Sequence, residues 1–192
     1  HIRLVYGDVT SLSLPRLLEE EAITKVVSNL PFVVASRCLV DLAFAARRPQ
    51  RIVVTLQQEV AKKLTAKPGS KAYSALTILV GHAYHASLQH RVPPTCFLPR
   101  PRVYSTIVCL TPVQPPMRFH TGIFRALVRG AFSQRRKQLG TILPRIDLPG
   151  VAKDIDRVGI LKDRAIEPVQ RPETLSVDRW IQLTKAFSGE LE

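Results

Sequence analysis

The chain has 192 residues, of which 45% are hydrophobic and 22% are charged, so it is long enough to bury a core and has the composition of a folded domain. Its 28 Lys and Arg residues against 15 Asp and Glu residues give a net charge of +13, which indicates a polyanionic partner, nucleic acid before a membrane surface. No stretch approaches the roughly 20 consecutive apolar residues of a membrane-spanning helix.

The predicted elements alternate between strand and helix over the first part of the chain. Apolar, partly β-branched stretches predict strands at 1–8, 23–27, 51–56, 86–92 and 103–110. Helical spacing of apolar residues predicts helices at 33–46 and 57–66, and a loop with a short helix is predicted at 12–21. The apolar stretch 75–88 fits either a helix or a strand, and a helix as far as 84 is favoured. This alternation predicts an α/β sheet whose last two strands, joined by a loop, form an antiparallel edge.

A proline-rich segment at 111–116 predicts a linker, beyond which only helices are expected. These helices are predicted at 119–143, 151–161 and 177–186, and Ser176 is the expected N-cap of the last one. The chain is therefore divided into an α/β domain at 1–112 and a helical domain at 113–192.

The first predicted strand runs into Gly7-Asp8, which Val9 follows. A carboxylate at a strand end can accept a hydrogen bond from a ligand amine or hydroxyl, although Gly-Asp is also common in ordinary turns. The chain does not begin with Met and shows no signal-peptide pattern, and a strand this close to the first residue leads us to expect a preceding segment.

The cysteines and histidines predict neither a disulfide framework nor a metal centre. Cys38, Cys96 and Cys109 are odd in number and widely spaced, which fits a reducing, cytoplasmic compartment. His82 and His85 have no acidic or Cys residues close by in sequence, so packing is favoured over metal ligation.

The tetrapeptide Asn29-Leu30-Pro31-Phe32 follows the second predicted strand. The Asn29 carboxamide oxygen and the Leu30 carbonyl, which the stiff proline turn leaves free, are two acceptors for an exocyclic amine, and Phe32 offers a face for base stacking. Such acceptors would free the lone pair of an adenine amine to attack a sulfonium methyl group. The alternative interpretation is an ordinary proline turn followed by a core phenylalanine.

Several short motifs occur in the order found in one family. They are Gly7-Asp8, the Asn29–Phe32 tetrapeptide, and the segments 58–61, 66–73, 97–105 and 132–137. Together they resemble the KsgA-type ribosomal RNA small-subunit adenine N6-dimethyltransferases, from the first residues to about Phe187. The resemblance implies a Rossmann-like methyltransferase sheet that lacks its N-terminal strands, in the catalytic domain at 1–112, and a small all-helical RNA-binding domain at 113–192.

The resemblance also implies an enzymatic activity and its participants. The donor would be S-adenosyl-L-methionine (SAM), and the target two adjacent adenosines in a hairpin loop near the 3′ end of small-subunit ribosomal RNA. Each adenosine would be methylated twice at N6 during ribosome biogenesis in the cytoplasm, with no metal ion and no membrane involved.

Site residues follow from the resemblance position by position. Asp8, Val9 and Asn29 would bind the cofactor, and the tetrapeptide from Asn29 to Phe32 would form the catalytic motif. Phe32, usually Tyr in the family, and Phe97 would stack against the target base; the alternative for Phe97 is a loop anchor in the core.

Basic residues are expected to contact the RNA. Arg135, Arg136 and Lys137 are predicted to continue a basic helix, and Arg100 and Arg102 to extend the surface at the pocket mouth. Lys62, Lys63, Lys67 and Lys71 are further candidates for that surface. The alternative is a solvated charged face.

One departure from the family pattern concerns donor binding. The family begins with a strand, a Gly-x-Gly loop that contacts the donor, and then an acidic residue. This sequence has 9 glycines but no Gly-x-Gly segment, and the acidic residue that would follow it is also missing. We therefore expect an N-terminally truncated chain with exposed apolar surface and weak or absent SAM binding. Two alternatives stay open: a non-catalytic module that binds ribosomal RNA during ribosome assembly, and a large-subunit rRNA adenine methyltransferase of the macrolide-resistance type, which the segments 66–73 and 171–177 resemble less.

Overall fold

The computed structural model describes residues 2–9 and 11–189. They form two compact units, each assembled from two stretches of chain. The first unit takes the residues up to 62 and 83–113, and the second takes 63–82 and the residues from 114 onward.

The first unit is built on a four-stranded sheet in the order β1-β2-β4-β3. Its strands are β1 (Lys25–Asn29), β2 (Arg51–Gln57), β3 (Tyr84–Val92) and β4 (Ser105–Pro112). Strands β1 and β2 are parallel, whereas β4 is antiparallel to both β2 and β3. The predicted α/β fold class with an antiparallel edge is therefore confirmed.

Burial follows from the position of each strand in this sheet. On β2, Ile52, Val54 and Leu56 are at most 1% exposed, since the strand lies between two neighbours and its alternate side chains face the core. The helices of this unit are α1 (Leu14–Glu20), α2 (Ala35–Ala43) and most of α3 (Gln58–Leu64). The apolar face of α2, including Leu39, is buried.

The strand predicted at 1–8 is wrong for the residues that the structure describes; His1 lies outside them. Residues 2–6 have no regular secondary structure, and Ile2 and Tyr6 are 92% and 89% exposed. A strand needs a neighbour for its backbone hydrogen bonds, and within the described ranges β1 pairs with β2 alone. Val27 on β1 is 82% exposed as well.

The region from 75 to 92 divides earlier than predicted. Helix α4 (Ala75–Gly81) ends three residues short of the predicted 84, and β3 begins at Tyr84 rather than at 86. The reason is tertiary: the Ala83 carbonyl accepts a hydrogen bond from the Val113 N–H, and Tyr84 pairs with Pro112. The backbone at residues 83 and 84 is therefore hydrogen-bonded in the sheet, and the helix ends before another turn forms.

The second unit contains only helices and short turns among its described residues. Besides α4 and the end of α3, it holds α5 (Thr121–Ser133), α6 (Leu139–Ile142), α7 (Arg157–Asp163) and α8 (Val177–Ser188). Ser176 caps α8 as predicted, its hydroxyl accepting from the Arg179 N–H at 3.3 Å. The helix predicted at 151–161 starts later, because Asp156 caps α7 by accepting from Val158 and Gly159.

The single helix predicted at 119–143 is wrong, because the chain leaves helical geometry between Ser133 and Leu139. After this break, the N–H groups of Leu139 and Gly140 donate to the carbonyls of Gln170 and Pro168. Contacts with a segment 30 residues further along therefore decide where α6 begins, and the apolar spacing does not reveal them.

Residues 63–82 belong to the second unit, although the predicted boundary at 112/113 assigned them to the first. Tyr73 explains the difference: it is 1% exposed, its ring lies 6.4 Å from that of Phe132, and its hydroxyl donates to the Leu175 carbonyl at 2.8 Å. Phe132 in turn lies 6.1 Å from the fully buried Trp180.

Candidate functional site

The Asn29–Phe32 tetrapeptide begins where β1 ends. Because β1 and β2 are parallel, with Asn29 opposite Thr55, their carboxyl ends lie at one edge of the sheet, where ligand sites of α/β folds form. Leu30 is buried at 7% exposure and anchors the turn, whereas Asn29 is exposed. The Pro31 carbonyl accepts from Val34 and Ala35 at 3.1 Å and so starts the approach to α2.

Two acceptors remain at this turn. Within the described part of the chain, no donor reaches the Leu30 carbonyl, and the Asn29 side chain makes no hydrogen bond. Phe32 is half-buried. The turn therefore places the Asn29 side chain and the Leu30 carbonyl at a strand end, and their role as acceptors stays a prediction.

The Gly7-Asp8 segment is a turn and not a strand end. The Asp8 backbone carbonyl accepts from the N–H groups of Ser11 and Leu12, and from the Ser11 hydroxyl, at 2.8–3.1 Å. The Asp8 residue is exposed. Val9 is half-buried and lines a cavity of about 280 Å³. Leu30 lines the same cavity, so a residue predicted to bind the cofactor and a residue of the predicted catalytic motif contact one space.

The loop between β3 and β4 carries Phe97, Arg100 and Arg102. Phe97 is half-buried and follows the short turn Pro94–Cys96, while both arginines are exposed. The sequence interpretation did not single out the stacking of the Arg91 guanidinium over the Tyr104 ring, 3.6 Å from its centroid. This cation–π pair joins the end of β3 to the residue before β4.

The basic run Arg135-Arg136-Lys137 lies in a turn after α5, so the prediction that it continues the helix is wrong. Arg135 is half-buried and donates to the carbonyls of Lys71 and Ser70 at 2.9 and 3.0 Å. Arg136 and Lys137 are exposed. The three cations thus differ: the first contacts its own protein and the other two face solvent.

The remaining titratable groups point to packing. Among the described residues there is no cluster of three His, Cys, Asp or Glu side chains that would hold a metal ion. Nδ1 of the buried His82 lies 3.0 Å from the Leu79 carbonyl, and its ring contacts Phe119 and Phe124. Burial is the main cause that raises the pKa of the Cys38 thiol. In the part of the chain described here, no helix has the length and hydrophobicity to cross a bilayer.

Comparison with solved structures defines the class of fold. A dimethyladenosine transferase from Plasmodium falciparum superposes with a TM-score of 0.80 at 21% identity, over 97% of this chain and 72% of the other. The 23S rRNA methyltransferase ErmE gives a TM-score of 0.57 at 18% identity, over 85% of this chain and 65% of the other. The chain therefore has the methyltransferase fold that these two proteins share.

The family follows from sequence comparison. The model of the ribosomal RNA adenine dimethylase family matches residues 1–183, and the chain belongs to that family. A relative called ribosomal RNA small subunit methyltransferase A is 33% identical in Levilactobacillus brevis over 99% of this chain, and one of the same name in Geobacillus kaustophilus is 36% identical over 98%. The chain spans about two thirds of these relatives, 66% of each.

Proposed function

We propose that this chain carries the target-base site and an RNA-contacting surface of an enzyme that dimethylates adenosines of small-subunit ribosomal RNA at N6, with SAM as the donor. The observation that carries the proposal is the turn after β1, where the exposed Asn29 and the Leu30 carbonyl provide two acceptors and the half-buried Phe32 follows two residues later. The family match supports the same chemistry.

The two acceptors act on the nucleophile. The lone pair of an adenine amine is delocalised into the ring, which makes the amine a poor nucleophile. In the first transfer, hydrogen bonds from its two N–H groups to Asn29 and the Leu30 carbonyl would draw the nitrogen toward tetrahedral geometry and hold it in line for attack. The N–C bond forms as the bond from the methyl group to sulfur breaks, which leaves a neutral thioether, and N6 loses a proton to solvent. In the second transfer the monomethylated amine has one N–H left for one of these acceptors. Pro31 stiffens the turn, and stacking on Phe32, with Phe97 as a second wall, holds the base once it is flipped out of its RNA loop.

The residues present fit the adenosine end of the donor. Asp8 and Asn29 are exposed acceptors for its amine and hydroxyl groups, and Val9 gives an apolar wall beside Leu30. When bound, SAM supplies an electrophilic methyl group on a sulfonium centre. The sequence has no Gly-x-Gly segment for the rest of the donor.

The target we propose is a pair of adjacent adenosines in a hairpin loop near the 3′ end of the small-subunit RNA, each methylated twice. The names of the relatives support the small subunit over the large one. A looped, single-stranded target also suits a base that must leave its stack to react. We place the reaction in ribosome biogenesis in the cytoplasm, where the free Cys38, Cys96 and Cys109 stay reduced.

RNA contact is proposed for exposed cations of both units. Arg136 and Lys137 lie in the turn after α5, and Arg100 and Arg102 lie in the loop that also holds Phe97. The net charge of +13 provides long-range attraction for a phosphate backbone. Within the second unit, Arg135 has a different role from Arg136 and Lys137, because it is hydrogen-bonded to its own protein.

The direct test is methyl transfer from labelled SAM, at high donor concentration, to isolated unmethylated small and large ribosomal subunits. We expect label in the small-subunit RNA as N6,N6-dimethyladenosine. Label in the large subunit alone would overturn the choice of target. RNA binding without any transfer would favour the alternative of a non-catalytic module for ribosome assembly.

A further inference from the structure

Arg135 is bound to its own protein on every side of its guanidinium group. One terminal nitrogen donates to the Lys71 carbonyl at 2.9 Å and the other to the Ser70 carbonyl at 3.0 Å. Its Nε lies 3.6 Å from a buried oxygen of Glu173. A planar guanidinium can hold two successive carbonyls at once, which a lysine ammonium on a flexible stem does not reproduce.

The segment held in this way is a loop between α3 and α4, which we call the 67–71 loop. Its internal bonds are local: the N–H and the hydroxyl of Ser70 both donate to the Lys67 carbonyl, at 3.1 and 2.7 Å. Gly69 has a φ of +81°, which favours glycine, and its N–H donates to the Glu173 carbonyl at 2.7 Å. Arg135 and Glu173 are thus the anchors that tie the loop to the rest of the second unit.

The anchored loop carries cations at both of its ends. Lys67 and Lys71 are exposed, as are Arg136 and Lys137, which directly follow Arg135. Since the Lys71 carbonyl is bonded to Arg135, the loop backbone lies against the turn that presents the other two cations. Among the described residues, no carboxylate lies within ion-pair distance of these four side chains, and Glu173 lies 3.6 Å from Nε of Arg135.

We infer that Arg135 is a positioning residue, which clamps the 67–71 loop so that Lys67, Lys71, Arg136 and Lys137 form one surface for RNA phosphates. The inference rests on the proposed function, because RNA is the partner that this function supplies. It separates the basic run into one residue that shapes the surface and two that contact the ligand. Such a surface positions an RNA without reading its sequence.

The test measures the salt dependence of RNA binding by the full chain. The probe is a synthetic RNA hairpin with two adjacent adenosines in its loop, titrated between about 50 and 200 mM salt, a range over which phosphate contacts lose much of their affinity. Lys67→Gln and Lys71→Gln together should lower the slope of log affinity against log salt by about 1 to 2, roughly one per lost contact. Lys162→Gln, an exposed lysine on α7, should leave the slope unchanged.

The decisive variant is Arg135→Lys, which keeps the net charge. We expect it to lower the slope as much as the two loop substitutions do, and to add nothing when combined with them. Arg145→Lys, the same exchange at an exposed arginine outside this surface, should leave the slope as in the wild type. A wild-type slope for Arg135→Lys would overturn the inference.

Two further measurements distinguish the possible failures. In the free protein, Arg135→Lys should speed hydrogen exchange of the Gly69 amide while amides inside α8 keep their protection. Faster exchange with an unchanged salt slope would show a structural clamp only and overturn the RNA surface. Equal binding of polyglutamate would assign the surface to an acidic protein instead. If the wild-type chain shows no salt-dependent RNA binding, RNA contact itself fails, whereas the methyl-transfer test reports on catalysis separately.

Discussion

At the residue scale, neighbouring residues in the turn after β1 are expected to have different roles. Asn29 is exposed at a strand end, and Leu30 beside it is buried, so we expect the Asn29 side chain to act in the reaction and the Leu30 side chain to stabilise the turn. For the half-buried Phe32 we expect both roles. Substitutions at these neighbouring positions should therefore have different effects.

Asn29→Ala should abolish methyl transfer and leave RNA affinity nearly unchanged. The substitution removes the side-chain acceptor for the target amine, while it touches none of the cations that contact phosphate. The measurement is initial transfer rate beside the dissociation constant for the same RNA. Phe32→Tyr is the matched control, because it keeps the stacking surface and should keep activity. A parallel loss of RNA binding in Asn29→Ala would contradict this division of roles.

Two buried tyrosines make stability sensitive to alkaline pH. Tyr73 and Tyr84 are 1% and 2% exposed, and burial raises the pKa of each to about 12. The unfolded chain loses these protons near pH 10 while the folded chain keeps them. The stabilisation is therefore fully present below pH 10 and is lost between 10 and 12, at up to about 1.4 kcal/mol per pH unit for each tyrosine.

In Tyr73→Phe, the stability of the second unit should fall less steeply between pH 10 and 12. At neutral pH the variant should lose about 1 to 3 kcal/mol, because the buried Leu175 carbonyl loses its donor. Urea unfolding between pH 8 and 11.5, followed by the fluorescence of Trp180 in the same unit, measures both effects. Tyr6→Phe, at an exposed position, should behave as the wild type. If the stability of Tyr73→Phe fell with alkaline pH as steeply as that of the wild type, Tyr73 would not be a source of the pH dependence.

At the element scale, the sequence predicted those elements whose cause is local. The strand at 51–56 and the serine cap of α8 follow from residues that are consecutive in the sequence, and both are confirmed. The predicted strand at 1–8 and the predicted helix at 119–143 are wrong for the opposite reason. A strand depends on a neighbour that pairs with it, and the start of α6 depends on carbonyls of Pro168 and Gln170.

The candidate site divides in the same way. Residue type and order were enough to select Asn29, Phe32 and the basic run, and their roles remain proposals. Sequence could not distinguish Arg135 from Arg136, since both are arginines in one run. Only the bonds of Arg135 to carbonyls 64 and 65 residues away separate the two. The stacking of Arg91 over Tyr104 could not be predicted either, because Arg91 lies near the end of β3 and Tyr104 lies just before β4.

At the scale of the whole molecule, donor binding and RNA binding draw on different properties. RNA attraction comes from a net charge of +13 spread over the chain, which no single substitution removes. Donor binding needs a few groups in one place, and the residues that we propose for it are Asp8, Val9 and Asn29. The two affinities should therefore respond very differently to the same experiment.

Titration of this chain with SAM by calorimetry should give weak or undetectable binding, because its sequence has no Gly-x-Gly loop to receive the donor. RNA binding, measured on the same preparation, should persist and weaken steeply with salt. Asp8→Asn is the matched variant: it keeps the side-chain size, removes the charge, and should weaken whatever donor binding is found. Tight SAM binding that Asp8→Asn leaves unchanged would contradict the role given to Asp8 and show that other residues hold the donor.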